Sequence, residues 1–448
     1  MNAIITYLHF LRFVFYTSAL YNEKVSLIFS GGIDMKTIAK LTLSAAIASL
    51  LSIAYRFSFF HTEWVRELLM DIGRRNLLFF IVWLAIIALL TLIVSYCVQN
   101  FHTISGSGLE HITTIHSVDS VAKEPFLIPI KFVVGLLCAF GNLGFGSIGI
   151  IAYMAAVSSK LFSKLTKAKK EHEQMFIYSG AAAALTAFFG IYFSGAIFII
   201  ERYKLGFKNI PMVLAILLPS LLMCQLHHLF FPTDVTFSSI AASATPDFYL
   251  TLIFLTILIF VLELIFKKLT VFLLVFYQRH HITAYVKIGT AFLLTTFFAI
   301  FFPQTTPNIY NFILSLINTD INVMIVLAFF VVQFVLTAVN FSSSASVGIF
   351  FSALFLGGFL GAMFGTLCIE YLDISSLNYP VYVFCGMAVF FALANGTPIS
   401  AIAFIFELSG HFYFPVILAV IFAKLLSPLT NFIFQLVNKN NQKKAYES

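Results

Sequence analysis

The chain has 448 residues, of which 60% are hydrophobic and only 10% are charged, and 55 are phenylalanine. A soluble domain carries roughly 25% charged residues, so this composition excludes a soluble globular protein and indicates a membrane protein with several spans. The net charge of +7 does not indicate nucleic-acid binding, because the basic residues fall in short loops between apolar segments.

Apolar segments long enough to cross a bilayer are predicted at 39–56, 76–98, 127–158, 176–200, 211–231, 249–276, 283–302, 322–338, 346–369, 380–406 and 413–436. Their length, and the lack of a strict alternation of polar and apolar residues, predict helices. Several contain Gly, Ser or Pro, so they could be pairs of shorter helices. We therefore predict an all-α polytopic membrane protein.

The two ends of the chain differ from the apolar segments. Residues 1–35 are apolar and aromatic and include Arg12 and Lys24, with no clear cleavage site, so we interpret them as an amphipathic or peripheral helix on the membrane. Residues 437–448 are polar and are predicted to form a short solvated tail. The predicted transmembrane domain covers 36–436, and no appended regulatory module is expected.

Three stretches rich in Gly and Ser interrupt the apolar pattern, at 105–111, 141–150 and 340–352. A helix that begins at membrane depth leaves backbone N–H groups without partners and carries the positive end of the helix dipole. Glycine lets an ion approach that backbone closely. Several such helix starts would form an anion site without a buried full charge. The alternative is that these glycines only pack helices together.

Basic residues cluster in the loops at 160–170, 202–208, 267–268 and 439–444. The positive-inside rule places such loops in the cytoplasm. The first two loops flank the apolar segment around Gly180. We therefore expect this segment to enter and leave the membrane on the same side, as a broken pair of half-helices does.

Two stretches, 180–202 and 386–408, align with each other without a gap. The identical positions in the two copies include Gly180 and Gly386, Gly190 and Gly396, Ser194 and Ser400, Phe198 and Phe404, and Glu201 and Glu407. In each copy a small-residue break divides the apolar segment and a glutamate closes it. This pattern is typical of internally repeated transporters with broken helices. For both glutamates a structural role at a helix end is the favoured interpretation, with proton transfer as the alternative.

The five cysteines are scattered through apolar segments and form no CxxC motif. The pairs His227–His228 and His280–His281 lie near segment ends, with no Cys or carboxylate at ligand spacing. We therefore predict no metal site and no cofactor, and we interpret the cysteines as small buried residues.

Four of these stretches resemble motifs of the CLC family of chloride channels and chloride/proton antiporters, in its short bacterial form. Gly106-Ser107-Gly108 matches the start of GSGIPE, and the stretch from Lys131 to Ile150 aligns with the segment that ends in GREGP. Gly348 to Ser352 falls on GxFxP, and Ala196 to Glu201 resembles LFIIEE. The resemblance extends over about 35–435, and its specificity lies in the order and spacing of the motifs.

The resemblance implies a homodimer with one pore per subunit, built from two inverted repeats at about 70–210 and 250–436. Ser107 would offer its hydroxyl to a central chloride, the amides of Ile349 and Phe350 would coordinate the same ion, and those around Ile148 would line an outer site. The implied anion-binding set is Ser107, Gly108, Gly146, Ser147, Ile148, Gly149, Gly348, Ile349 and Phe350. The implied partners are chloride, lipid and a second copy, in a bacterial inner membrane. An enzymatic activity is not expected.

The chain departs from the family at both positions that handle protons in the antiporters. Ile148 stands where the family has its gating glutamate, and Arg202 stands where the antiporters have an inner proton-accepting glutamate. Neither side chain exchanges a proton at physiological pH. The family's pore tyrosine has no clear counterpart, and Thr430 and Phe432 are weak candidates.

Three functions are compatible with this pattern. The leading expectation is passive chloride conduction, not coupled to protons, because both proton-handling glutamates are absent. The first alternative is chloride/proton exchange through other carboxylates, such as Glu110 or Glu201. The second is a non-conducting structural or regulatory homologue, since the family's prolines are also missing at Glu110, Ile150 and Ser352.

Overall fold

The computed structural model describes residues 34–115, 124–143, 147–207, 209–231, 245–302, 323–410 and 413–429. Within these ranges all regular secondary structure is helical, and nine helices are long and apolar enough to cross a membrane. The predicted peripheral helix at 1–35, apart from its last two residues, and the predicted tail at 437–448 lie outside the described residues.

The first part of the chain forms helices of very different lengths. They are α1 (Met35–Arg75), α2 (Leu77–Asn100), the short α3 (Leu109–Ile115), α4 (Glu124–Phe140), α5 (Ser147–Leu165), α6 (Glu173–Phe189), α7 (Ser194–Arg202) and α8 (Ile210–Phe230). The remainder comprises α9 (Pro246–Arg279), α10 (Ala284–Phe301), α11 (Val323–Ser342), α12 (Phe350–Leu372), α13 (Tyr379–Asn395), α14 (Pro398–Ser409) and α15 (Phe414–Leu429).

Helix α1 is much longer than the apolar segment at 39–56 that predicted it. It begins at Asp34, whose carboxylate accepts a hydrogen bond from the backbone N–H of Thr37; this bond lowers the pKa of Asp34. Beyond residue 56 it contains several charged residues, of which Glu63 and Arg66 are buried against neighbours. Arg66 donates to the carbonyl of Ala139 at the end of α4 and lies 3.9 Å from Glu63.

Three long apolar segments are broken into pairs of helices, as their Gly and Ser content suggested. The segment at 127–158 comprises α4 and α5, the segment at 176–200 comprises α6 and α7, and the segment at 380–406 comprises α13 and α14. Helices α6 and α13 both end at a glycine with positive φ, 73° at Gly190 and 70° at Gly396. A left-handed glycine commonly stops a helix, so both copies of the repeat break in the same way.

The helix before each break packs closely on a neighbour through a matched glycine. A Cβ on Gly180 would lie 1.9 Å from the Ser159 hydroxyl of α5, and one on Gly386 would lie 2.2 Å from the Gly357 carbonyl of α12. Close backbone approach of this kind stabilises helix pairs in membranes, where lipid supplies no hydrophobic driving force between helices. Neither glycine could be replaced by a larger residue without moving the neighbouring helix or side chain.

Many large apolar side chains on α2, α9 and α10 are exposed, including Leu89, Phe254 and Leu293. An apolar outer surface is expected where helices face lipid. The fold is that of a multi-pass integral membrane protein, with a buried core formed by α5, α6, α12 and α13.

Candidate anion-binding site

The three Gly/Ser-rich stretches, far apart in sequence, meet around Ser107. In the first stretch Ser105 donates its hydroxyl to the carbonyl of Ser344 (3.0 Å), and Gly106 donates its backbone N–H to the carbonyl of Ala345 (3.1 Å), both in the third stretch. In the second stretch Gly149 lies so close that a Cβ would be 2.5 Å from the Ser107 Cβ. The structure thus brings together the segments that the sequence singled out separately.

The individual residues of the implied anion-binding set lie at helix starts or next to them. Ser107 is 3% exposed, and Gly108 next to it has φ of +93°. Ile148, in the first turn of α5, is fully buried. Gly348 and Ile349 directly precede α12, and Phe350 is its first residue. Gly146 and the side chain of Ser147 lie outside the described residues, as do the tyrosine candidates Thr430 and Phe432.

A buried lysine lies directly behind the first stretch. The ammonium group of Lys131, on α4, is fully buried and donates to the carbonyls of Thr103 (3.0 Å), Ile104 (3.1 Å) and Gly106 (3.3 Å). It also lies over the ring of Tyr153, 5.1 Å from its centroid. Lys131 therefore fixes the backbone that leads into Ser107, and when protonated it places a positive charge beside the candidate site.

Ser107 and Glu110 are joined by a hydrogen bond within the first stretch. The Ser107 hydroxyl donates to Oε2 of Glu110 over 2.9 Å, while its oxygen accepts from the backbone N–H of Leu109 (3.2 Å). Glu110 itself is exposed and lies in the first turn of α3. The hydroxyl expected to bind chloride is thus directed at a carboxylate in this structure.

Phe350, at the start of α12, is the centre of an aromatic cluster. Its ring centroid lies 4.4 Å from that of Phe391, 5.2 Å from Phe198, 5.6 Å from Phe404 and 5.7 Å from Phe189. A small cavity lies among these rings and the breaks between α6 and α7 and between α13 and α14. The cluster connects the third stretch to both copies of the repeat.

The two repeat glutamates each bind the helix start of the opposite copy. Glu407, at the end of α14, accepts from the backbone N–H groups of Tyr192, Phe193 and Ser194 (2.9, 2.6 and 2.9 Å) and from the Ser194 hydroxyl. Glu201, at the end of α7, accepts from the N–H groups of Ile399 and Ser400 (3.0 and 2.8 Å). Helices α7 and α14 are therefore antiparallel neighbours, and each carboxylate faces a positive helix end.

The carbonyl ends of the two broken helices are bound by cations or histidine. Arg202 donates to the carbonyl of Asn395 over 2.8 Å, at the end of α13. At the matching end of α6, Arg56 donates to the carbonyl of Phe188, and Nδ1 of His227 donates to that of Ala187. These groups satisfy backbone carbonyls that have no intrahelical partner. Arg202, at the position of a proton station in the family's antiporters, thus stabilises a helix end here.

The sequence pattern indicates no role for Arg56, and it predicts no metal site at His227. Arg56 is the last residue of the predicted segment 39–56, yet its side chain is only 3% exposed. Lys267 was assigned to a basic loop but lies within α9, where it pairs with the fully buried Glu263 over 2.6 Å. A charge within an otherwise apolar run is the signal that could have identified these residues.

These features define a multi-pass membrane protein with broken helices that converge on one polar site. A family model described as "Voltage gated chloride channel" matches residues 90–428, and the chain belongs to this family. It is 25% identical over 409 residues to the H(+)/Cl(-) exchange transporter ClcA of Vibrio campbellii. The aligned region covers 86% of this chain and 85% of that relative. A Vibrio parahaemolyticus protein of the same name is 25% identical over 410 residues, a region that covers 86% of this chain and 85% of that protein.

The fold is shared with solved structures. A slow cyanobacterial Cl−/H+ antiporter superposes with a TM-score of 0.80 at 19% identity, covering 92% of this chain and all of the other. A CLC-type fluoride/proton antiporter superposes with a TM-score of 0.70 at 17% identity, and the superposition covers 88% of this chain and 97% of the other. The prediction of a CLC-type helical fold is therefore confirmed.

Proposed function

We propose that this chain transports chloride across a bacterial inner membrane in exchange for protons, as a homodimer with one pathway per subunit. The curated relatives that match most of its length are named exchange transporters and come from bacteria. Their names support chloride/proton exchange, the first alternative from the sequence, better than uncoupled conduction, the leading expectation from the sequence.

The convergence of the three Gly/Ser-rich stretches on Ser107 carries the anion part of this proposal. Helix starts at Leu109, Ser147 and Phe350 lie at or next to these stretches and supply N–H groups without intrahelical partners. When protonated, Lys131 adds a positive charge behind the first stretch. Chloride is the proposed ion because the family resemblance associates a serine at the position of Ser107 with chloride.

The proton part requires carboxylates other than those the family uses. Ile148 and Arg202 cannot take this role, and Glu201 and Glu407 are occupied with helix starts. Glu110 is exposed and in contact with Ser107, and Glu263 is buried within α9. Glu110 and Glu263 are the first candidates among the described residues of the membrane domain, and the buried Glu63 of α1 is a further one.

Paired flux measurements test the proposal. The full-length protein is reconstituted into vesicles with a chloride gradient, and chloride efflux and proton uptake are recorded together. We expect proton movement in a fixed ratio to chloride, and a reversal potential that shifts with the pH gradient. Chloride efflux with no proton movement would overturn the exchange.

Uncoupled conduction is the second candidate, and a specific observation favours it. Ile148 is fully buried at the gating position, where it offers no titratable group, and Arg202 is bound to Asn395. The same assay separates the two functions, since conduction predicts a reversal potential set by chloride alone. A complete lack of flux from folded protein would instead favour the non-conducting alternative.

A further inference from the structure

We propose that Glu110 and the transported anion compete for the hydroxyl of Ser107, so that protonation of Glu110 and anion binding favour each other. The inference rests on the proposed anion transport, since it takes chloride as the ligand of Ser107. It assigns to Glu110, at a position where the family has proline, a titratable role inside the anion site itself.

The geometry gives Ser107 one hydroxyl proton and two possible acceptors. That proton is directed at Oε2 of Glu110 over 2.9 Å, and the hydroxyl oxygen is already used as the acceptor for the N–H of Leu109. A serine hydroxyl donates one hydrogen bond at a time. While Glu110 is ionised, an anion at Ser107 would lack this donor and would also face a like charge.

Protonation of Glu110 reverses both effects. The neutral carboxylic acid is a weaker acceptor and can itself donate, so the Ser107 hydroxyl is released toward the anion, and the repelling charge is removed. The backbone of the site does not need to move, because Lys131 holds the carbonyls of Thr103, Ile104 and Gly106 in either state. The linkage is reciprocal: an anion bound at Ser107 raises the proton affinity of Glu110 by the same factor.

The position of Glu110 gives it access to protons. Its side chain is exposed, and its neighbour Leu109 accepts a hydrogen bond from the hydroxyl of Tyr203 over 2.8 Å. Tyr203 belongs to the basic loop at 202–208, which is predicted to be cytoplasmic. Glu110 thus lies where the cytoplasm meets the anion site.

The other charged and titratable groups around Glu110 are few among the described residues. Lys131 acts on it from α4, His111 follows it on α3, and Tyr203 faces it from the end of α7. Of these, His111 and Lys131 could mimic the effect, because a cation that forms beside the site on acidification also favours an anion. E110Q leaves both groups unchanged and so separates Glu110 from them. The experiment therefore includes a His111 variant.

Calorimetric titration of chloride into the purified full chain, at about pH 4.5 and about pH 7.5, tests this linkage across the range where carboxylates change charge. We expect the parent protein to bind chloride about tenfold more tightly at the lower pH. E110Q should bind with the tighter affinity at both pH values. E370Q, which alters an exposed carboxylate near the end of α12, serves as the matched control and should behave as the parent.

Two results would overturn the proposal: a parent with no pH dependence, or an E110Q protein with undiminished pH dependence. H111Q should keep the pH dependence, and its loss in H111Q but not in E110Q would assign the effect to the histidine. If E110Q does not fold, E110A takes its place, and chloride added in weakly buffered solution must cause proton uptake in the parent and in H111Q but not in E110A. These binding measurements need no gradient and are independent of the flux assay. The linkage at Glu110 can be present where the flux assay excludes exchange, and it can be absent where the flux assay supports exchange.

Discussion

Glu407 binds Ser194 through both its backbone N–H and its hydroxyl, and thereby connects the end of the second repeat to the start of the first repeat's α7. Glu201 makes the reciprocal connection to the N–H of Ser400. The glutamates and the serines are identical in the two copies, and each pair makes one half of this reciprocal contact.

Removing either glutamate should destabilise the protein, and Glu407 should matter more. Glu407 accepts bonds from three backbone N–H groups and a hydroxyl, whereas Glu201 accepts from two N–H groups. Loss of a helix cap costs about 0.5–2 kcal/mol. We expect E407A to lower the thermal unfolding temperature in detergent more than E201A does, with E407Q between E407A and the parent. Equal effects of E407A and E201A would contradict this interpretation of the contacts.

Replacing Arg202 by the glutamate found in the family's antiporters should destabilise the protein without a gain in coupling. R202E loses the hydrogen bond to Asn395 and places a negative charge at the negative end of α13, at a cost of about 1–2 kcal/mol. R202K keeps the charge and serves as the control. Thermal unfolding of the two variants and the proton-to-chloride flux ratio provide the measurement. A stable R202E with increased proton coupling would show that Arg202 is not needed at the helix end.

Lys267 should be required for stability, chiefly because Glu263 is buried beside it. K267M leaves a fully buried carboxylate without its ion-pair partner at 2.6 Å, and because Lys267 itself is partly exposed, we expect a cost of about 1–3 kcal/mol, that of leaving a buried group unpaired. The double variant E263M/K267M should recover most of that loss. Unfolding of both single variants and the double variant gives the coupling energy directly. Additive effects would mean that the two side chains act independently.

A methyl group at Gly149 should disturb the anion site. Its Cβ would lie 2.5 Å from the Cβ of Ser107 and 2.6 Å from its carbonyl oxygen, so either the first stretch or α5 must shift. We expect G149A to weaken chloride binding at least about tenfold, since a shift of this size breaks ion contacts. G73A, where a Cβ meets nothing within 4 Å, is the control and should bind chloride as the parent does.

The sequence predicted the spans and the three stretches because both leave local signals. Apolar runs mark spans, and the clustered small residues at Gly106 and Gly149 mark places where backbones meet. The positive φ of Gly190 and Gly396 follows from the same local chemistry. The break in each copy could therefore be located within a few residues.

The partners of the charged residues could not be predicted in the same way. Glu201 and Ser400 are 199 residues apart, and no local pattern states which helix start a carboxylate will reach. Lys131 and Arg56 bind carbonyls of other segments, and every residue has a carbonyl, so sequence gives no preference among them. The length of α1 was underestimated for a related reason, since only tertiary contacts reveal that Glu63 and Arg66 are buried.

The reciprocal contact of Glu201 and Glu407 ties the two copies of the repeat to each other. Taken alone, either copy has a carboxylate acceptor at the end of its second helix and N–H donors without a partner at the start of that helix. Placed antiparallel, the two copies satisfy each other without any further residue. A change at one glutamate therefore leaves unmet groups in the opposite copy, so the two halves of the chain share one constraint. That constraint ends at the next position, where one copy has Arg202 and the other has Leu408.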